Sequence, residues 1–257
     1  MTRETDTQRF RAALGSRSAR QGWFERSLRL VIRAWCWAVG WRLEVGPMTD
    51  LPARTTSAPG SGCLVAGAPH RAWVEPFLLM AAWPADAAPL VWLADGRTVT
   101  GSWWRSRFLP KVGVIPIEGS VRALHGYAEM AAQVLAAGAA VVVFPETGPA
   151  SEPGRLRTIS PGFAYLARRA GAPIVPVVFG GTHAIMRGST FSVDALEWID
   201  VGPADREPFS PESRRLAHEL TERYTATIAA ALPERNALTA ARRPDRERWR
   251  WLATLFD

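Results

Sequence analysis

His70 and Glu75 stand five residues apart in the segment AGAPHRAWVEP, residues 66–76. An imidazole with an ordinary pKa of about 6.5 suits proton transfer at neutral pH and can take the proton of an attacking hydroxyl. A carboxylate on its other ring nitrogen would fix the tautomer and stabilise the imidazolium that forms. The spacing limits how such a pair can arise. Residues five apart on a regular helix point about 140° apart around its axis, so the two side chains would not share a face. Pairing requires His70 in a loop ahead of a helix, with the chain turning back. Pro69 and Pro76 suit that arrangement. Pro76 fits the first turn of a helix and disfavours helical geometry at Glu75. The other reading is that Glu75 only complements the positive end of a helix dipole.

Three further blocks carry candidate chemistry: KVGVIPIEGS at 111–120, VVVFPETGP at 141–149 and PIVPVVFGGTH at 173–183. Glu146 closes the apolar run of the second of these. At the C-terminal edge of an open α/β sheet, where ligands gather, it would be a site carboxylate. A helix-start acid or half of a buried ion pair are the alternatives. His125 and His218 fall in expected helices, and His183 follows Gly180-Gly181-Thr182 at a strand exit; all three are weaker candidates. The sequence has no H-E-x-x-H, G-x-x-x-x-G-K-[ST] or G-x-G-x-x-G pattern, so no metal, nucleotide or nicotinamide site is expected. It also has no G-x-S-x-G elbow, so a serine nucleophile is not expected.

The order and intervals of the four blocks resemble the glycerophospholipid acyltransferase family, which carries H-x4-D, G-x-I-P-I-x-R-like, F-P-E-G-T-R and V-P-[VI] motifs. The resemblance runs from about residue 62 to residue 203 and includes GRLRTISPGFAYLARRAGAPIVPV, residues 154–177. It implies transfer of a fatty acyl group from an acyl-CoA or acyl carrier protein thioester to the hydroxyl of a lysophospholipid or related lipid. The substrate brings the attacking oxygen, and no cofactor beyond the thioester is implied. His70 would be the general base and Glu75 its partner. Glu146 would shape the acceptor site, while Thr147 and Gly148 would offer a hydroxyl and backbone N–H groups to the thioester oxygen.

The chain departs from the family pattern at several positions. Glu75 stands where the family has Asp, and Pro69 where many members have Asn. Thr147-Gly148-Pro149 replaces Gly-Thr-Arg, and Gly119 replaces an Arg. Arg122, three residues beyond Gly119, is a candidate substitute. A site without those guanidinium forks should bind a phosphomonoester less well. The expected acceptor is therefore a lipid other than plain lysophosphatidate. A catalytically silent, lipid-binding or partner-binding paralogue is the alternative reading.

Strand and helix patterns alternate after residue 62, which predicts an α/β fold with a mostly parallel central sheet flanked by helices. Expected strands cover 63–66, 90–93, 112–117, 139–144 and 174–179, with a more exposed one over 191–201. Expected helices start at Pro76, span 122–137 and 161–171, and run from 210 to 232 with a stop at Pro233. Residues 1–50 read as a basic arm and an amphipathic interfacial helix over 23–43, residues 51–233 as the acyltransferase domain, and residues 234–257 as a basic Trp/Arg tail. The 23–43 helix suits a bilayer interface, with its Arg side chains reaching phosphate. A helix packed on the domain core, its Arg stems covering apolar surface, is equally open.

The formal charge is +7, and Lys111 is the only lysine. That balance favours anionic partners, of which an anionic membrane surface fits best. Twelve Trp against three Tyr point the same way, because Trp favours interfaces. No recognition helix, RNP-like strand or zinc knuckle supports a nucleic-acid partner. The sequence has no run of 18 uncharged apolar residues, and its first 22 residues are polar and Arg-rich. The expected location is the cytoplasmic face of the cell membrane, peripheral or monotopic. Cys36 and Cys63 lack C-x-x-C spacing, and a reducing compartment is the simpler expectation.

Overall fold

The computed structural model describes residues 20–46, 48, 62–71, 73–96, 101–117, 121–147, 155–183, 185–205, 207 and 210–240, except the side chains of 20–25, 104, 110, 111 and 121–127. In chain order its elements are α1 (Arg20–Ala38), β1 (Arg42–Val45), β2 (Cys63–Ala68), α2 (Glu75–Ala82), β3 (Leu90–Asp95), α3 (Trp103–Phe108), a 3-10 turn (Leu109–Val112) and β4 (Val114–Ile117). There follow α4 (Val121–Ala136), β5 (Ala140–Val143), β6 (Glu146–Thr147), β7 (Thr158–Ile159), α5 (Gly162–Ala170), β8 (Ile174–Gly180), β9 (Thr190–Ala195) and α6 (Pro211–Ala240).

Short apolar runs such as Cys63–Ala68 and Ile174–Gly180 are buried along their whole length, as expected of strands covered on both faces. Seven strands form one sheet in the order β1-β9-β8-β2-β5-β3-β4. β8 and β9 pair antiparallel; every other neighbouring pair is parallel. The expected α/β class with a mostly parallel sheet is what the chain forms.

Alternation along β2 divides the core into two layers. Leu64, Ala66 and Ala68 pack with α4, α5 and α6. Cys63 and Val65 face the other way, toward Ile32 and Cys36 of α1 and Leu78 and Leu79 of α2. Cys36 and Cys63 are both buried free thiols, and burial pushes Cys63 up to about 12.

Three expectations need correction. The N-terminal helix ends at Ala38, not Leu43: Gly40 turns the chain at φ +74°, and Arg42–Val45 then pairs with β9 as an edge strand. The strand after residue 190 is Thr190–Ala195, which is buried rather than exposed because α6 covers one face and β8 and β1 flank its edges.

The last helix does not stop at Pro233; it continues to Ala240. A proline inside a helix removes one backbone hydrogen bond and costs about 3 kcal/mol. Tertiary contacts beyond it offset that cost. Thr239 is buried, and Arg235 pairs with the buried Asp194 at 3.2 Å. The helix passes so close to β8 that a Cβ on Gly180 would lie 2.8 Å from the Arg235 carbonyl. Residues 241–257, the rest of the expected tail, lie outside the described residues, as do residues 1–19.

α1 docks through its arginines. Arg29 Nη1 donates to the carbonyls of Trp83 and Pro84, both at 3.0 Å, and Arg33 donates to Ala81 at 3.1 and 2.8 Å. These carbonyls lie at and just beyond the C-terminus of α2, where backbone oxygens lack helical partners and positive charge is favourable. Both arginines thus bond the protein itself, Arg29 buried and Arg33 still partly in solvent. Leu30, Val31 and Trp37 of α1 stay exposed, Trp37 by 83%.

Candidate active site

β2 lies at the centre of the sheet, between β8 and β5. Its C-terminal end delivers the chain through the cis Ala68–Pro69 peptide to His70, which sits in a loop ahead of α2. Glu75 is the first residue of α2, and Pro76 follows in the first turn. This is the loop-then-helix geometry that the five-residue spacing demanded. The Glu75 carboxylate turns back beneath the loop instead of facing solvent.

His70 Nδ1 lies 3.3 Å from Glu75 Oε2. That is ion-pair distance, off the line of an aligned hydrogen bond. Such contacts tighten in substrate complexes. The other oxygen, Oε1, accepts the Arg71 backbone N–H at 2.9 Å. Glu75 is fully buried, whereas the His70 side chain is 40% exposed. Since Nδ1 is itself buried, the exposed edge of the ring is the one bearing Nε2. A carboxylate at Nδ1 favours the proton on that nitrogen and leaves Nε2 as an acceptor facing outward.

One face of the imidazole stacks on Phe144, with centroids 4.2 Å apart and planes 23° from parallel. Phe144 in turn lies 6.0 Å from Phe179 of β8. Gly67 makes room for both rings: a Cβ there would lie 2.8 Å from Phe144 and 2.9 Å from Phe179. The sequence flags Phe144 only as part of F-P-E. Its place directly after β5 is the signal that it must sit at the sheet edge beside the residues leaving β2.

Glu146 does not start a helix. It opens β6, one half of a two-stranded ribbon with β7 in which Glu146 faces Ile159. Its Oε2 accepts the His70 backbone N–H at 2.8 Å, and its Oε1 accepts the Arg157 backbone N–H at 3.1 Å. The carboxylate therefore ties the His70 loop to the ribbon. Tyr224 approaches from α6 below and donates to the Ala66 carbonyl at 3.2 Å. Burial, together with the Glu146 charge, holds its phenol well above the usual range. Neither Tyr224 nor Arg157 stood out in the sequence, because both reach the site through contacts distant along the chain.

The remaining expected site residues are placed less directly. Thr147 is exposed, and its hydroxyl, expected as a donor to a thioester oxygen, instead donates to the Thr158 carbonyl at 3.2 Å across the ribbon. Arg122 lies in the first turn of α4. Gly148 lies outside the described residues, as do Gly119 and Pro149. His183 follows the β8 exit, and His218 lies in α6. Among the described residues no group of His, Cys, Asp and Glu is arranged to hold a metal ion.

Comparison with known proteins follows the same lines. Residues 49–180 match the family model described as Acyltransferase. The chain is 32% identical over 119 residues to a 1-acyl-sn-glycerol-3-phosphate acyltransferase of Limnanthes douglasii, covering 43% of this chain and 42% of that one. It is 35% identical over 71 residues to a protein of the same name from Cocos nucifera, covering 28% of this chain and 23% of that one. The aligned stretches span less than half the length of these curated relatives. A crystal structure of the 1-acyl-sn-glycerophosphate acyltransferase PlsC from Thermotoga maritima is similar with a TM-score of 0.49 at 18% identity, over 79% of this chain and 78% of that one. The family match covers just over half of the 257 residues and includes His70, Glu75 and Glu146. The chain belongs to the acyltransferase family.

Proposed function

We propose that the protein transfers a fatty acyl group from a thioester, acyl-CoA or acyl-loaded carrier protein, to the hydroxyl of a lysophospholipid or related lipid. One observation carries this reading: an imidazole backed by a buried carboxylate, with its free edge in solvent at the C-terminal end of the central strand. His70 Nε2 takes the proton of the acceptor hydroxyl as that oxygen attacks the thioester carbonyl. The C–S bond of the tetrahedral intermediate then breaks, and the imidazolium returns the proton to the leaving thiolate. Glu75 stabilises the imidazolium between the two steps. General-base assistance of this kind contributes about 10²–10⁴ in rate.

Gly119 and Pro149, where the family pattern has arginines, support an acceptor other than lysophosphatidate. The exposed Leu30, Val31 and Trp37 of α1 support peripheral membrane association. So do the exposed Trp103, Arg105 and Arg107 of α3. Among the described residues no helix is long and apolar enough to cross a membrane. A basic, Trp-bearing face suits an anionic leaflet, such as the cytoplasmic one.

Thioester consumption by the wild type and by His70→Ala across a panel of lysolipids tests the reaction. The expected result is turnover that the substitution abolishes. Equal background rates would leave the silent, lipid-binding role. Flotation with anionic vesicles, compared between wild type and Trp37→Glu, tests the membrane face.

A further inference from the structure

The missing family arginines leave a question that the β6–β7 ribbon addresses: which cation meets the acceptor's phosphate. We propose that Arg157 is that contact, and that it suits a phosphodiester headgroup; this rests on the acyl-transfer reading. Its backbone is already part of the site, because its N–H and that of His70 share the Glu146 carboxylate. The two loops thus approach within the span of two hydrogen bonds to one carboxylate. Arg157 directly precedes β7, whose Ile159 pairs with Glu146.

Among the described residues the guanidinium has no acceptor. Glu146 takes the backbone N–H of Arg157, not its side chain. Nε is buried without an acceptor among the described residues, and the side chain makes no ion pair there. Arg157 as a whole is half-buried rather than sealed in, and a part-buried guanidinium lacking an acceptor is satisfied by an anionic ligand oxygen.

Charge matching selects the ligand class. A phosphomonoester near neutral pH carries up to two negative charges and is best held by several cationic forks. A phosphodiester carries one charge, which a single guanidinium fork can match. Gly119 and Pro149 remove the forks that the family pattern supplies, and Arg157 supplies one. The site then favours a lysophospholipid whose phosphate also bears a second alcohol.

The test compares wild type, Arg157→Gln, Arg157→Lys and His70→Ala. Short-chain lysophosphatidylglycerol, lysophosphatidate and uncharged monoacylglycerol serve as acceptors, all below their micelle concentrations. Binding is read by calorimetry and turnover by thiol release. Arg157→Gln should weaken lysophosphatidylglycerol binding by about tenfold or more and raise its KM equally. Monoacylglycerol should be unaffected, and Arg157→Lys should recover only part of the loss. His70→Ala should lose turnover and keep binding. An Arg157→Gln effect equal for charged and uncharged acceptors, or no effect on either, overturns the assignment. So does tighter wild-type binding of lysophosphatidate than of lysophosphatidylglycerol. Arg157-dependent binding with no wild-type turnover would instead overturn the acyl-transfer reading and leave the phosphate contact standing. Melting temperatures of the variants identify any loss that comes from unfolding.

Discussion

The Glu146 carboxylate holds His70 by its backbone: Oε2 accepts the His70 N–H at 2.8 Å, while the imidazole itself is steered by Glu75. Two acids thus divide the work on one residue. Glu75 stands beside the ring nitrogen, and Glu146 bonds the main chain that carries the ring. Each oxygen of Glu146 accepts one backbone N–H of the protein, so the carboxylate holds the His70 loop in position.

Glu146→Gln should separate position from substrate contact. An amide keeps one acceptor oxygen but turns an N–H₂ toward one of the two backbone donors. Hydrogen bonds to charged groups contribute about 1.5–3 kcal/mol each, so the loop loses much of its tether. The expected outcome is a kcat lowered at least tenfold for every acceptor, with acceptor KM nearly unchanged and a lower melting temperature. A rise in KM confined to some acceptors would show direct contact instead.

Glu75→Asp restores the residue of the family pattern, yet it should impair this protein. The longer side chain reaches both the Arg71 N–H and His70 Nδ1 from the first turn of α2. Removing one methylene withdraws the carboxylate from a ring that already stands at 3.3 Å. Steady-state kinetics should show a loss of about 10–10²-fold in kcat. Glu75→Gln, which keeps the size and removes the charge, should lose about 10²–10⁴-fold.

The His70–Glu75 approach was legible in the sequence because it is local: five residues, two prolines and a helix start leave few geometries. The sheet was legible for a similar reason, since apolar runs such as Ile174–Gly180 bury both faces and need no partner to be recognised. The contacts that complete the site were not. Glu146 meets His70 across 76 residues, and Tyr224 meets Ala66 across 158. No local pattern records such pairings. Pro233 misled because its local cost is visible in the sequence while the Asp194, Gly180 and Thr239 contacts that offset it are not. Arg29 and Arg33 look like charges for a lipid surface until the carbonyls of Ala81, Trp83 and Pro84 are seen beneath them.

Gly67→Ala probes the aromatic floor of the site. Its new Cβ would stand 2.8 Å from the Phe144 ring and 2.9 Å from that of Phe179, distances at which the rings must shift. Overpacking of this kind costs about 1–3 kcal/mol. Because Phe144 carries the imidazole on its face, the shift should reach His70 and reduce kcat more than stability alone explains. Gly67→Ala combined with Phe144→Leu should recover stability but not activity. Recovery of both would assign Phe144 to packing only.

Acid stability should depend on a clamp far from the site. Arg168 of α5 donates to both oxygens of Asp205 and to the Val201 carbonyl at 2.9 Å, and Ser213 of α6 donates to Asp205 at 2.7 Å. Burial works to raise the Asp205 carboxyl. Hydrogen bonds from Arg168 and Ser213 and the charges of Arg168 and Arg169 outweigh it and hold the carboxyl below its usual range. An acid depressed in the folded state binds fewer protons there than when unfolded, so its stabilisation is present above the unfolded value of about 3.9 and is lost as pH falls through the folded one. Denaturant unfolding of wild type and Asp205→Asn should therefore differ most near neutral pH and converge in acid. A difference that stays constant across that range would mean the carboxylate charge contributes nothing there.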